Sequence, residues 1–190
     1  MYILIGLGNP GKKYAHTRHN TGKILAAWLK EEGRGKKEEG GEKLGGFEIV
    51  ETDCFMNKSG EWIKNKMATM AEMAKMVKSH ESSNHSSHSN RFNHLFIAHD
   101  DLDLRLGEWK IHFGRGPRLH KGILSIEQAL GTKNFWRVRI GVDNRAKGQG
   151  PRAKGEDYVL QPFKREEKKI LIQTFAQIRK CIYSTPGFGA

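Results

Sequence analysis

Residues 1–22 read MYILIGLGNPGKKYAHTRHNTG, and their order constrains the fold more than any other stretch. The apolar, β-branched run Met1–Ile5 predicts a short buried strand. It opens directly into Gly6-Leu7-Gly8-Asn9-Pro10-Gly11, and Tyr14, Thr17, Arg18, His19 and Asn20 follow before any helical periodicity begins. A strand that ends in glycines and then presents polar, titratable groups is how an α/β protein builds a site at its strand ends.

Gly6-x-Gly8-x-x-Gly11 satisfies the dinucleotide fingerprint in form. That fingerprint works only when the loop runs straight into a helix whose N-terminus holds the pyrophosphate. Here Pro10 and Gly11 break such a helix, and periodic apolar residues (Ile24, Leu25, Trp28, Leu29) begin only after Gly22. Asn20 or Thr21 is the expected N-cap. A nucleotide-dependent oxidoreductase is therefore disfavoured, and the glycines read as a tight turn.

The rest of the chain alternates strand and helix patterns. Strands are expected at Tyr2–Leu7, Phe47–Phe55, Leu95–Ala98, Glu108–Phe113 and Phe135–Val142. Helices are expected at Gly22–Glu32, Glu61–Lys78, from Leu124 to Leu130, and at Pro162–Tyr183. Ile63, Met67, Met70, Met73 and Val77 recur at helical spacing and read as core packing. Residues 31–46 are charged and glycine-rich, 79–94 are rich in Ser, His and Asn, and 144–157 carry Gly, Lys and Arg; all three read as polar loops. This order predicts an α/β fold: a single-domain three-layer sandwich over 1–190, with a mixed, mostly parallel sheet flanked by helices. The segments near 31–46 and 79–94 are expected to be inserts that leave the core intact.

Charge narrows the partners. The 190 residues hold 33 basic and 21 acidic side chains, a formal net charge of +12. This points to a polyanion, nucleic acid before an anionic membrane surface. No apolar run approaches the length of a membrane span, and no signal-peptide pattern opens the sequence. Cys54 and Cys181 stand far apart with no CxxC, which argues against a disulfide framework or a cysteine zinc site and fits a reducing cytoplasm.

Three predicted strands end in polar residues: Asn9, Asn57 and Asp100. His19 follows the first loop. If those ends share one sheet edge they form one cleft, in which a histidine with a buried carboxylate partner is a general base toward water. The two asparagines suit a carbonyl substrate or a developing oxyanion. No serine, cysteine or threonine sits in a GxSxG-type elbow, so covalent catalysis is not indicated. His99-Asp100-Asp101-x-Asp103 could instead bind a divalent metal, and so could the histidines of the 79–94 insert.

Taken together, GLGNPGxxYxxTRHNxG, FMNxSG and HDDLDLxxG, in this order, resemble the bacterial-type peptidyl-tRNA hydrolases across nearly the whole chain. The resemblance implies a single α/β domain and metal-independent hydrolysis, without a cofactor, of the ester joining a peptide to the tRNA 3′ ribose. It implies that His19 is the base that activates water, that Asp100 orients and stabilises it, and that Asn9 reads the N-blocked peptide portion. Tyr14, Phe55 and Asn57 match positions that contact the tRNA acceptor end, and Met56 lines the cleft. The implied partner is peptidyl-tRNA, bound through its acceptor stem and 3′ end by a cytoplasmic monomer with no membrane association.

One stretch departs from the family pattern. Where the family has Gly-Gly-His-Asn-Gly, this chain has Arg118-Leu119-His120-Lys121-Gly122. Lys121 can grip a phosphate but cannot accept a hydrogen bond. If close, its charge would depress the pKa of His19. The alternative function is that of a non-catalytic RNA-binding member of the same fold, like the splicing factors that resemble the enzyme.

Overall fold

The structure is a computed structural model that describes residues 2–34, 46–77, 92–117, 119–145 and 155–184, with side chains described outside 34 and 71–77. Its strands are β1 (Tyr2–Gly6), β2 (Phe47–Glu51), β3 (Leu95–Arg105), β4 (Trp109–Phe113) and β5 (Trp136–Asp143). Its helices are α1 (Thr21–Arg34), α2 (Ser59–Val77), α3 (Lys121–Leu130), α4 (Gly155–Val159) and α5 (Arg165–Ser184). The strands form one sheet in the order β2-β1-β3-β5-β4. All neighbours are parallel except β4, which runs antiparallel to β5 at the edge.

Side-chain alternation along the strands feeds two cores. On one face Leu4, Phe96, Ala98, Val138 and Ile140 pack with Leu25 and Leu29 of α1 and Leu171, Phe175 and Ile178 of α5. On the other, Ile5, Leu7, Leu95, Ile97 and Phe135 pack with Ile63 of α2 and Ile123 and Ile126 of α3. This is the expected three-layer mixed sandwich. Met67 packs against the second core, as the helical spacing predicted; Met73 and Val77 lie outside the described side chains.

Several boundaries differ from the sequence reading. β3 is longer than Leu95–Ala98 and runs through the acidic stretch to Arg105. β2 ends at Glu51 instead of Phe55, because Thr52 turns inward: its N–H donates to Gly6 O at 3.1 Å, and its hydroxyl accepts from Gly8 N at 3.1 Å. α1 continues through Arg34, into the segment expected to be a loop, whereas 35–45 lie outside the described residues. α4 occupies the end of the stretch read as a loop over 144–157. Of the Ser/His-rich insert only 92–94 are described, and there the His94 ring lies 5.1 Å from that of Tyr2.

α1 approaches β3 closely. A Cβ at Gly22 would stand 2.0 Å from Ala98 O and 2.9 Å from Leu7 N. Only glycine allows this approach, which sets the start of α1 against the middle of β3, two residues before Asp100.

Candidate active site

The chain between β1 and α1 forms no immediate helix. Gly11 takes φ +95°, a short 3₁₀ turn spans Lys12–Tyr14, and a second spans Arg18–Asn20. The phosphate-loop reading fails here, as the position of Pro10 predicted. The loop instead supports two asparagines. The Asn20 carboxamide accepts from Asn9 N at 2.8 Å and donates to Asn9 O at 3.0 Å, holding the Asn9 backbone from both sides. Asn20 is thus engaged with the loop rather than with the helix end. Thr21 begins α1, and its hydroxyl donates to Arg18 O. Asn9 Oδ1 accepts from Met56 N at 2.8 Å. That bond fixes the orientation of the Asn9 amide and leaves its NH₂ as the donor it can present.

His19 sits in the second 3₁₀ turn with its side chain 14% exposed. Its Nδ1 lies 2.9 Å from Asp100 Oδ1 and 3.1 Å from Oδ2. Asp100 is buried within β3, not after its end as the sequence reading placed it. The strand continues because the neighbouring charges find partners: Asp101 Oδ2 accepts from Arg139 Nε at 2.6 Å. A second imidazole meets the same carboxylate. His120 Nε2 lies 3.0 Å from Asp100 Oδ1, while His120 Nδ1 accepts from Ile123 N at 3.2 Å and caps α3. The backbone donor fixes the tautomer: Nε2 of His120 carries hydrogen and donates to Asp100. His19 likewise donates from Nδ1, which leaves its Nε2 lone pair free to take a proton.

Burial pushes the Asp100 carboxyl up, but the two imidazoles outweigh it and hold Asp100 far below the ordinary carboxylate range. Burial pulls His19 down, yet the charge and hydrogen bond of Asp100 win, and its pKa stands above the ordinary value. His99, fully buried beside His120, is held well below that value by burial and by its neighbour.

His19, Asp100 and His120 present ligand atoms within 4.8 Å of one another, a spacing that could hold a metal ion. The fit is poor: Ile123 N–H occupies His120 Nδ1, so Nε2 has no lone pair to offer without breaking the helix cap. The three side chains satisfy one another as a hydrogen-bonded relay. Asp101, which the metal reading also used, is engaged elsewhere: its Oδ2 accepts from Arg139 Nε at 2.6 Å and its Oδ1 from Asp103 N at 2.8 Å.

Such a site, a buried carboxylate that orients one imidazole toward water beside a fixed amide donor, suits ester or amide hydrolysis. A family model described as peptidyl-tRNA hydrolase matches residues 3–186. The chain belongs to the peptidyl-tRNA hydrolase family. A peptidyl-tRNA hydrolase of Aquifex aeolicus is 31% identical over 95% of this chain and 87% of its own length. That of Mycobacterium ulcerans is 34% identical, over 87% and 81% respectively. Among solved structures, peptidyl-tRNA hydrolase from Acinetobacter baumannii aligns with a TM-score of 0.65 at 23% identity, covering 97% of this chain and 89% of that one. This likeness shows the fold.

The other residues singled out for the peptidyl-tRNA hydrolase reading are distributed around this centre. Met56 is buried and meets Asn9 through its backbone N–H. The Tyr14 and Phe55 rings stand edge to face at 6.4 Å, and Phe55 is 51% exposed. Asn57 lies in the 3₁₀ turn Met56–Lys58, where its backbone carbonyl accepts from Ser125 Oγ of α3 at 2.9 Å. Its side chain is not among the hydrogen-bond partners of His19 and Asp100 in the described residues; of the three expected strand ends, Asp100 bonds His19 directly, Asn9 is held by Asn20 of the turn that bears His19, and Asn57 is tied to α3 through its backbone. Lys121 opens α3 and pairs with Glu156 of α4 at 2.8 Å. Its charge does pull His19 downward, as expected, but Asp100 reverses the net direction. Arg118 lies outside the described residues.

Three supports carry roles that the sequence alone does not reveal. In the sequence, His120 stands only in the altered stretch before Gly122. Its signal, a polar residue just before an apolar helical pattern, was masked because histidine is not a favoured N-cap. Asn20, by its position, is one of two candidate caps of α1, and its carboxamide instead holds Asn9. Arg18 forms a two-pronged ion pair with Glu167 of α5, at 2.7 and 2.8 Å, and donates to Pro162 O at 2.7 Å. It lies over the rings of Tyr158 and Phe163, and so ties the turn that bears His19 to both C-terminal helices.

Proposed function

We propose that this chain hydrolyses the ester between a peptide, or an N-blocked aminoacyl group, and the 3′ ribose of tRNA, with His19 as the general base. The observation that carries the reading is the contact between His19 Nδ1 and the buried Asp100, 2.9 Å, in a chain of this family. A protein that only binds RNA has no need of a base held in one tautomer by a buried carboxylate.

Water is the nucleophile. His19 Nε2 takes a proton from it as its oxygen attacks the ester carbonyl carbon, and Asp100 stabilises the resulting imidazolium. The carbonyl oxygen becomes an oxyanion that an uncharged NH₂ donor such as that of Asn9 can meet. Collapse breaks the bond to the ribose 3′ oxygen, which takes the proton back from His19. The products are a peptide with a free carboxyl group and tRNA with a free 3′ hydroxyl. No protein group need become covalently attached.

Substrate recognition follows the same geometry. Asn9 reads the blocked peptide portion, and the Tyr14–Phe55 pair offers aromatic faces to the acceptor end. Asn57 and Lys121 contact the tRNA, and Met56 lines the cleft. The basic excess holds acceptor-stem phosphates. We place these groups on one domain spanning 1–190, with the inserts at its rim, acting as a monomer in the cytoplasm. Among the described residues no helix is long and apolar enough to cross a membrane.

The test compares N-blocked aminoacyl-tRNA with free aminoacyl-tRNA. Cleavage of the blocked substrate alone is expected. Equal cleavage of both contradicts the role of Asn9, and cleavage of neither contradicts the activity.

A further inference from the structure

Lys121 lies in the stretch where this chain departs from its family pattern, and it has an acidic partner. Its Nζ lies 2.8 Å from Glu156 Oε1, with 63% and 76% of the two side chains exposed. The partners belong to different elements. Lys121 is the first residue of α3, directly after the Asp100-bonded His120. Glu156 lies in α4, whose Tyr158 ring sits 4.5 Å from the Arg18 guanidinium, next to His19. Tyr158 is held in turn: its hydroxyl donates to Val142 O at 3.2 Å and accepts from Asn144 N at 2.9 Å. The pair thus bridges the two elements that flank the base, and the charges of both residues reach His19.

The lysine stands at the positive end of a helix dipole, so an anion there is favoured twice over. An exposed ion pair gains little and exchanges readily with another anion. We propose that Glu156 is an internal stand-in for a substrate phosphate: it occupies Lys121 in the free protein, and the phosphodiester backbone of the tRNA acceptor strand displaces it on binding. Lys121 thereby becomes a residue that selects substrates carrying a phosphate at this distance from the ester. Glu156 sets how strongly such a phosphate must compete, and so weakens the binding of short or poorly placed RNA ends. This inference rests on the peptidyl-tRNA reading of the site.

Four proteins test it: the unmodified chain, Lys121→Ala, Glu156→Gln and the double variant. Each is assayed on N-blocked aminoacyl-tRNA and on the same acyl group esterified to adenosine, which has no phosphate. Glu156→Gln is expected to lower KM for the tRNA substrate by about two- to fivefold, the range for an exposed pair. KM for the adenosine ester does not fall. Lys121→Ala raises KM for the tRNA substrate, and adding Glu156→Gln to it gives no further change. A KM for tRNA that stays or rises in Glu156→Gln overturns the stand-in, as does a fall that persists without Lys121 or extends to the adenosine ester. Failure of the unmodified chain to cleave either ester is the separate outcome that rejects the hydrolase reading itself.

Discussion

At the residue scale, the account turns on one carboxylate shared by two imidazoles. Asp100 holds His19 above the ordinary histidine value of 6.5, so the unprotonated base forms only above that pH. The rate should therefore rise with pH through a midpoint higher than 6.5. Asp100→Asn removes the charge but not the burial, so the midpoint moves down. The rate falls too, by up to about 10⁴-fold, the full size of an acid–base contribution. A pH profile of kcat for both proteins checks this, and an unmoved midpoint would contradict it. The same shifts act on stability. The depressed Asp100 stabilises the fold above the ordinary carboxylate value of 3.8 and loses that contribution as the pH falls below it. The raised His19 contributes below 6.5 and loses its contribution as the pH rises through its folded value. Asn20 makes a different demand. Asn20→Ala strips partners from the buried N–H and C=O of Asn9. It should cost about 1–3 kcal/mol in urea denaturation and raise KM. His19 and Asp100 were legible because they sit in dense motifs. His120 and Asn20 were not, because their partners, the Asp100 carboxylate and the Asn9 backbone, lie 20 and 11 residues away in the chain.

At the element scale, two attachments hold the turn that bears His19. α1 lies so close to β3 that Gly22→Ala would drive a Cβ into the Ala98 carbonyl. The helix gains a better helix former, worth about 1 kcal/mol, yet the clash is with backbone and cannot relax cheaply. We expect a lower melting temperature; an unchanged or higher one would show that α1 can shift without cost. The second attachment is the buried Arg18–Glu167 pair. Glu167→Ala leaves a buried guanidinium without its counter-charge and should cost about 3–5 kcal/mol by denaturant titration. The element boundaries show why sequence reading stops short here. Alternation placed the first strand and the helices of both layers. It ended the third strand at Ala98 because Asp100, Asp101 and Asp103 resemble a loop until Arg139, His19 and His120 are seen to meet two of them. α4 carries no periodic signal in five residues, and its position depends on Tyr158 reaching across to β5.

At the scale of the whole molecule, the sheet sets the end of β1 beside the middle of β3, where Asp100 lies, in a chain that is strongly basic overall. With a net charge of +12, binding of tRNA should weaken steeply as salt rises, whereas cleavage of an adenosine ester without phosphates should not. KM measured for both substrates across a salt series separates the two; parallel behaviour would contradict phosphate contacts. The architecture was legible as a whole because strand and helix periods alternate cleanly, and the charge pointed to a polyanion. The decisive measurement is single-turnover cleavage of N-blocked aminoacyl-tRNA, with protein in excess, by the unmodified chain and by His19→Ala. The account predicts cleavage by the first and a loss of about 10²- to 10⁴-fold in the second, with tRNA binding retained. Cleavage by His19→Ala at the unmodified rate, or tRNA binding without cleavage by the unmodified chain, would contradict it.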